Sequence, residues 1–290
     1  YLRVSTYFIV ALLVYHTTFP GKSEIQNINN IKQYLYWLGI ILLRDLFLVF
    51  IFYQGWTYVL FSSQYSSKMT KLRFNGKEPE ISQHYHDRYY SLQGSVISSL
   101  FEFIVIIFYQ KYPYLYQYFN INSILSPIMY IFWILFVIYW RDFHFYWIHR
   151  FMHEWPSFLE FKFILSNKKS GKFNVGKWVY NFSHSLHHKS YNPIPWSGLS
   201  MHWFEHTLYF TCIWFPLFIF IKQSGLHILF NKYHALLSPL PGHDGFNTPG
   251  GGSYFHYLHH SHFTCNYGTP MVPFDKIFGT FSDGSQYKNK

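Results

Sequence analysis

Long stretches of the chain carry almost no charge, and this feature restricts the folds open to it more than any other. Four apolar runs are nearly uncharged, at residues 40–60, 96–108, 124–140 and 208–221. Apolar runs of this kind are typical of helices that lie within a membrane. Only 12% of the 290 residues are charged, roughly half the charged fraction of a soluble domain. The sequence therefore predicts an all-α integral membrane protein.

The apolar segments predict about four transmembrane or hairpin helices. Three single crossings are expected, at residues 34–61, 96–108 and 124–139. Arg44 and Asp45 interrupt the first of these without dividing it. Two further apolar segments, residues 201–221 and 226–237, are separated by a short turn. Since histidine groups lie on both sides of this pair, we expect a hairpin that enters the membrane and returns to the same side.

Basic residues are distributed unevenly between the loops. The loop at residues 62–91 contains five Lys or Arg residues, whereas the loop at residues 110–123 contains Lys111 alone. Basic loops are enriched on the cytosolic side of a membrane. Because two crossings follow the first loop, the histidine-rich segment beyond residue 140 is expected to return to that side as a cytosolic helical cap.

The charge balance and the cysteines exclude several kinds of protein. The formal charge is +10, from 23 Lys and Arg against 13 Asp and Glu. The basic residues form no clustered stripe or binding motif for nucleic acid, so membrane lipids with anionic headgroups are the expected partners. Cys212 and Cys265 are the only cysteines. Neither a disulfide framework nor a thiolate metal site is expected.

Fifteen of the 18 histidines fall between His144 and His262, with regular spacing. Four groups place their members three or four residues apart, on one face of a helix. The groups are His149 with His153, His184 with His187 and His188, His202 with His206, and His256 with His259 and His260. Ten imidazoles are about the number that two metal ions require, and neutral imidazole suits iron, zinc or copper. A lone histidine is more often structural, but four such groups predict a metal centre.

Four other residues are candidates for supporting positions around the metal. Asp142 lies seven residues before His149 and nearly on its face, where it is placed to accept a ring N–H; a helix-end carboxylate that is solvated or paired with Arg141 is an equal alternative. His144 is turned away from His149 and is either supporting or structural. His234 and His243 are further supporting candidates.

Two motifs after the last histidine triple complete a recognisable pattern. They are Asn266-Tyr-Gly268 and Phe274-Asp-Lys-Ile-Phe-Gly-Thr280. With the order His-x3-His, His-x2-His-His, His-x2-His-His, they resemble the fatty acid hydroxylase superfamily, which includes sterol desaturases, methylsterol monooxygenases and fatty acid hydroxylases. The resemblance covers residues 131–281, and the segment at residues 190–199 is more similar to the sterol desaturase branch.

This resemblance implies a non-haem di-iron centre in a cytosolic cap, with zinc as a possible substitute metal. Such enzymes use O2 and electrons, commonly from cytochrome b5 or a similar donor, to hydroxylate or desaturate a lipid or sterol. The resemblance carries over as ligands His149, His153, His184, His187, His188, His206, His256, His259 and His260, and the spacing adds His202. The sequence is expected to divide into N-terminal membrane spans and loops at residues 1–123, the catalytic domain of the fatty acid hydroxylase and sterol desaturase type at 124–281 and a polar tail at 282–290.

Two other functions are considered beside the enzyme. One is a structural, non-catalytic subunit of a larger membrane assembly that keeps the fold and the metal. An open, lipid-sized cavity that reaches the metal would favour the enzyme. The other is a metal transporter, which would need histidines along a path inside the membrane, whereas these lie mostly at the ends of spans. The endoplasmic reticulum is the expected location, with the mitochondrial inner membrane as an alternative.

Overall fold

The computed structural model describes residues 2–74, 79–116, 125–156, 161–164, 170–218, 222–247 and 252–287. The helices are α1 Leu2–Thr17, α2 Lys22–Gln26, α3 Ile31–Phe61, α4 Ser66–Thr70, α5 Ile81–Lys111, α6 Leu125–Phe151, α7 Val175–Val179, α8 Ser185–His187, α9 Trp203–Phe210, α10 Phe215–Phe218, α11 Gly225–Leu237, α12 Pro239–Gly242, α13 Gly252–His262 and α14 Phe274–Ile277. A π-helical turn, Tyr180–His184, joins α7 to α8. The predicted domain boundary at residues 123 and 124 and the last three residues of the polar tail lie outside the described residues.

Three of the helices, α3, α5 and α6, are long and apolar enough to cross a membrane. They confirm the three predicted crossings, but α5 and α6 are longer than expected. Helix α5 begins at Ile81, within the predicted loop, and α6 continues to Phe151. The predicted spans are thus the apolar parts of longer helices, and α6 continues into the segment that carries Asp142, His144 and His149. Arg141 and Asp142 are buried in the protein and so do not end the helix.

The two legs of the predicted hairpin return on each other, and the first leg is broken. A 3-10 turn, Thr211–Ile213, separates α9 from α10, and α11 forms the returning leg with every residue buried. The two legs come back together, because a Cβ atom on Gly198 would lie 2.5 Å from the carbonyl O of Pro239. The segments before and after the hairpin therefore meet.

Charged side chains connect α3, α5 and α11 inside the protein. Arg44 and Lys232 both pair with Glu102, Lys232 also pairs with Asp45, and Arg44 Nη2 lies 3.1 Å from Asp45 Oδ1. The two acidic side chains and Lys232 have no exposed surface. A charge in a membrane is tolerated where it is paired and faces the protein interior. This pairing explains how α3 remains one crossing despite Arg44 and Asp45.

The prediction of an all-α membrane protein is confirmed, with one small addition. Strands β1, Phe161–Ile164, and β2, Ser170–Phe173, form an antiparallel pair after α6. The pair lies between the first and second histidine groups in the sequence. Helices therefore supply the scaffold on which the histidines are held.

Candidate metal centre

The described histidines form two compact clusters in which the ligand atoms lie within 4.8 Å of one another. The first cluster contains five, His149, His153, His184, His188 and His259. The second cluster contains four, His187, His243, His256 and His260. The clusters adjoin, since the ring centres of His184 and His187 are 5.4 Å apart. Nine imidazoles thus offer two neighbouring metal sites.

The two histidine triples each contribute to both clusters, in opposite ways. In the triple of α8, the outer members His184 and His188 belong to the first cluster, and the middle member belongs to the second. In the triple of α13, the outer members His256 and His260 belong to the second cluster, and His259 belongs to the first. Positions three and four residues apart lie on either side of one helical stripe. Each triple therefore spans the gap between the two sites.

The histidine pair at the end of α6 is not held by a regular helix. The helix ends at Phe151, and the N–H groups of Met152 and His153 bond to carbonyls three residues earlier, those of His149 and Arg150, at 3.1 and 3.4 Å. This tightened last turn keeps the rings of His149 and His153 5.1 Å apart. Similarly, the π-helical turn leads directly into the triple of α8, and π turns often occur at functional sites.

In the second cluster, two nitrogen lone pairs point at each other. His187 Nδ1 lies 3.2 Å from the carbonyl O of Ser200, and His243 Nδ1 lies 2.9 Å from that of Pro239. A carbonyl oxygen only accepts, so each Nδ1 carries the ring proton and each Nε2 is a lone pair. These two Nε2 atoms are 3.1 Å apart. Two lone pairs at this distance repel unless a cation lies beside both.

The first cluster repeats this arrangement. His149 Nδ1 donates to the carbonyl O of Tyr267 at 2.6 Å, and His184 Nδ1 lies 2.7 Å from Oε1 of Glu205. When Glu205 is ionised it can only accept, so His184, like His149, carries its proton on Nδ1 and its lone pair on Nε2. The Nε2 atoms of His149 and His184 are again 3.1 Å apart. Two nitrogens bound at right angles to one ion, each at about 2.1 Å, would be separated by about 3 Å. Both clusters therefore have the spacing that a shared metal ion requires.

A proton cannot easily take the place of that cation. Burial lowers the pKa of His184, His187 and His259 to about 3, and that of His243 to about 4. The imidazoles are therefore neutral near pH 7, as metal ligands must be. In addition, the buried Nε2 atoms of His153, His256 and His259 have no hydrogen-bond partner within the described chain. The donor set fits metal ions.

The segment that follows α13 orients two ligands, His259 of α13 and His149 of α6. The carbonyl O of Cys265 accepts from His259 Nδ1 at 2.7 Å, and that of Tyr267 accepts from His149. Between them, Asn266 adopts a positive φ of 57°, and its side-chain amide bonds to the carbonyls of Phe255 and Ser282 at 3.0 and 2.9 Å. The Asn-Tyr-Gly motif thus positions backbone carbonyls that fix ligand tautomers.

The second motif secures this segment through Asp275. Its carboxylate accepts from the backbone N–H groups of Tyr267 and Gly268, both at 2.8 Å, and from the hydroxyl of Thr280 at 2.7 Å. A Cβ atom on Gly268 would lie 2.8 Å from Oδ2 of Asp275. Glycine is required there so that the backbone can approach the carboxylate. The two motifs that carried the family resemblance therefore support each other physically.

His202 and His206 were predicted as ligands, but the structure places neither in a cluster. Residues four apart on a helix share a face, and this face of α9 points away from the metal sites. His206 Nε2 lies 3.1 Å from the carbonyl O of Tyr90, and its ring packs against Gly94, where a Cβ would lie only 2.3 Å from Cε1. His202 is partly exposed and caps the start of α9.

Glu205, which the sequence analysis missed, takes the inward position on α9. Successive residues of a helix point about 100° apart, so Glu205 faces His184 while His206 faces α5. Burial raises the pKa of Glu205 to about 7. A carboxylate behind a ligand histidine fixes its ring orientation and increases its basicity. The only signal in the sequence was a carboxylate within a histidine group.

The four predicted supporting residues differ in how they relate to the two clusters. His243, predicted as a supporting group, has its Nε2 among the ligand atoms of the second cluster. Asp142 accepts from the hydroxyl of Thr269 at 2.7 Å, and the ring N–H of His149 bonds to the carbonyl O of Tyr267 instead. His144 lies apart from both clusters and bonds to Thr211 Oγ1 at 2.8 Å. His234 belongs to neither cluster but lines the adjoining cavity.

A cavity of about 550 Å³ reaches both clusters. Its histidine end is formed by His149, His184, His187, His243 and His256. Its apolar walls include Val4, Phe145, Ile148, Met152 and Met201. Pockets of about 300–1,000 Å³ are typical of small-molecule sites. The cavity therefore has the size and lining to hold a largely apolar molecule beside the metal sites.

Comparisons with known proteins place the same segment in one family. The family model described as fatty acid hydroxylase matches residues 133–280. A Delta(7)-sterol 5(6)-desaturase of Gibberella zeae is 31% identical over 53% of this chain and 38% of its own length. The human cholesterol 25-hydroxylase is 30% identical over 35% of this chain and 46% of its own. A very-long-chain aldehyde decarbonylase of Oryza sativa is 27% identical over 54% of this chain and 53% of its own.

The chain thus spans only about two fifths to half of the length of these relatives. No solved structure gives a significant match to it.

Proposed function

The chain belongs to the fatty acid hydroxylase family, and on that premise we propose that it is an O2-dependent membrane oxidoreductase that hydroxylates or desaturates a sterol or another lipid. One observation carries this proposal: two buried clusters of neutral histidines, with lone pairs facing one another, at the end of a cavity with apolar walls. The relatives named above include a desaturase and a hydroxylase of sterols, which supports a sterol as substrate.

The nine clustered histidines are proposed to hold two iron ions, five ligands from one cluster and four from the other. Bound iron would supply the activation of O2 needed to break an unactivated C–H bond, which side chains alone cannot do. Iron is favoured over zinc because zinc has no redox chemistry, although zinc can replace it during purification.

The protein's own residues would prepare and protect this site. The carbonyls of Cys265, Tyr267, Ser200 and Pro239 keep ring protons on Nδ1, so that Nε2 is free to bind metal. The apolar walls of the cavity exclude water and hold the carbon skeleton of the substrate beside the ions. Correct placement of one C–H bond would decide between hydroxylation and desaturation.

The remaining parts of the proposal concern partners and location. An external electron donor is required, and cytochrome b5 or a similar protein is proposed. The protein is a multi-pass membrane protein with three membrane-length helices. The endoplasmic reticulum is the proposed location, with the cap on the cytosolic side, and the mitochondrial inner membrane is the alternative.

A structural subunit of a larger membrane assembly is the second candidate function. Buried histidine clusters alone would suit it, because a bound metal can stabilise a fold. The cavity beside the clusters favours the enzyme, since a purely structural metal site has no use for an open apolar space that reaches its ligands.

Metal analysis and turnover would test the proposal together. Detergent-purified protein is expected to contain about two iron ions per chain, one for each cluster. His259→Ala and His187→Ala, one from each cluster, should each reduce this content. The loaded protein should then convert a lipid in a sterol and fatty-acyl panel only when O2 and a reductant are both present. Absence of bound metal would refute the enzyme, and bound metal without any O2-dependent product would favour the structural subunit.

A further inference from the structure

Away from the histidine clusters, the cavity contains two more buried polar side chains. Arg141 of α6 and His234 of α11 both line it, and each is only 3% exposed. They lie close enough for the charge of Arg141 to act on the imidazole of His234. Neither belongs to a metal cluster. Their role is therefore separate from that of the ligands.

Arg141 has one donor, Nε, that the described part of the chain does not satisfy. Its Nη2 donates to the hydroxyl oxygen of Tyr209, which in turn donates to the carbonyl O of Ala235 at 2.7 Å. Its Nε is buried and has no acceptor among the described residues. The guanidinium carbon lies over the rings of Tyr209 and Phe145, at 4.3 and 5.1 Å. A buried donor without an acceptor is costly, so an acceptor in the cavity would be stabilising.

The imidazole of His234 makes no hydrogen bond to the described residues. Its Nδ1 is buried without a partner, and its ring is surrounded by those of Tyr7 and Phe230, with centres 5.3 and 6.2 Å away. A neutral imidazole has one nitrogen that donates and one that accepts. The accepting nitrogen of His234 can therefore receive a hydrogen bond from a hydroxyl group whose oxygen accepts one from Arg141.

The nearby carboxylate decides which oxygen group fits this pair. Asp142 is close enough to interact electrostatically with Arg141, while it accepts a hydrogen bond from the hydroxyl of Thr269 at 2.7 Å. A carboxyl group of the protein thus already lies within electrostatic range of Arg141. A carboxylate or sulfate on a ligand would add a second negative charge beside Asp142, whereas a neutral hydroxyl would not.

We propose that Arg141 and His234 bind the hydroxyl group of a lipid alcohol and so position its carbon skeleton at the metal clusters. This inference rests on the proposed function. The Phe145 ring lies 5.1 Å from the Arg141 guanidinium and 5.2 Å from the ring of His149. Phe145 therefore adjoins both the hydroxyl site and a metal ligand, and a lipid alcohol held by Arg141 and His234 would extend along this ring towards the clusters.

Equilibrium binding tests the hydroxyl site without any need for turnover. The probes are radiolabelled cholesterol and 1-octadecanol, competed by the matching hydrocarbons, 5-cholestene and octadecane, and by cholesterol sulfate. Binding is measured on the full chain in detergent, under argon and without reductant. For at least one alcohol we expect binding about tenfold tighter than that of its hydrocarbon, the value of one to two net hydrogen bonds. This ratio should fall towards one in Arg141→Met and His234→Phe.

His144→Phe provides a matched control. His144 is a buried imidazole on the same helix as Arg141, but it bonds to Thr211 and does not line the cavity. Its replacement should leave the alcohol-to-hydrocarbon ratio unchanged. Because a ratio is compared within each variant, a general loss of stability does not imitate the expected result. Should Arg141→Met fail to fold, His234→Phe tests the same site.

Three results would overturn the proposal. They are an unchanged ratio in His234→Phe, no preference of the wild type for either alcohol over its hydrocarbon, and tighter binding of cholesterol sulfate than of cholesterol. Turnover in the lipid panel combined with any of these results would leave the proposed function standing and remove only the hydroxyl site. If the ratio falls in the variants but no lipid is turned over, the hydroxyl site stands and the proposed function is removed.

Discussion

His243→Ala should lower the metal content of the protein, and His202→Ala should leave it unchanged. This is the reverse of what the sequence suggested. His202 was predicted as a ligand and His243 as a supporting group. In the structure, Nε2 of His243 lies 3.1 Å from Nε2 of His187, whereas His202 caps a helix outside both clusters. We expect His243→Ala to lose about one of two metal ions and His202→Ala to retain both.

The size of the effect follows from the four ligands of the second cluster. As a guide, zinc binding to a structural four-ligand site is worth about 10–16 kcal/mol near neutral pH. An equal share for each ligand is about 3 kcal/mol, which corresponds to an affinity roughly a hundredfold weaker. His202→Ala removes a weak capping contact, a 3.4 Å hydrogen bond from the N–H of Phe204, at a cost of about 1 kcal/mol of stability or less.

Elemental analysis of detergent-purified protein, followed by titration with a chelator, measures both quantities. His256→Ala is a second member of the same cluster and should reproduce the loss seen in His243→Ala. His202→Asn retains a capping side chain and should match the wild type in both metal content and melting temperature. Loss of an ion from His202→Ala would refute the assignment of the second cluster. So would His243→Ala protein with full metal content and a chelator titration identical to that of the wild type.

Three other predictions concern the groups that support the ligands. Glu205→Ala should weaken metal binding about 10–100-fold through the orientation of His184, measured by chelator competition; an unchanged affinity would contradict this role. Asp275→Ala leaves buried N–H donors unpaired and should cost about 1–3 kcal/mol, seen as a lower melting temperature that Asp275→Asn partly restores. The metal-free protein should lose stability as the pH falls from about 6.5 towards 3, because burial lowers the pKa of His184 and His259 to about 3 while the unfolded chain takes up those protons near 6.5. Below about pH 6.5, each of these groups would lower the free energy of unfolding by about 1 kcal/mol per pH unit. A melting temperature that stays constant or rises between pH 7 and pH 4.5 in the presence of chelator would refute this pH dependence.

Local pattern in the sequence was enough to identify the helical membrane class and most of the candidate ligands. Charge-free runs identified the three membrane-length helices, because a lipid environment excludes unpaired charge over the length of a span. The spacing of the histidines identified eight of the nine clustered residues, since side chains three or four positions apart necessarily share a helical face. His243 was the exception because it stands alone, with no second histidine at helical spacing.

Tertiary packing decided which way each face points and which ion each histidine serves. Periodicity relates residues within one helix, but it carries no information on the direction in which the helix presents a given face. Glu205 and His206 are neighbours in the sequence, and the packing of α9 against α5 turned the first towards His184 and the second towards Gly94. Likewise, Arg141 and His234 meet in one cavity only because the hairpin returns α11 alongside α6. The physical reason is that long-range contacts, absent from any local window of sequence, fix the relative rotation of the helices.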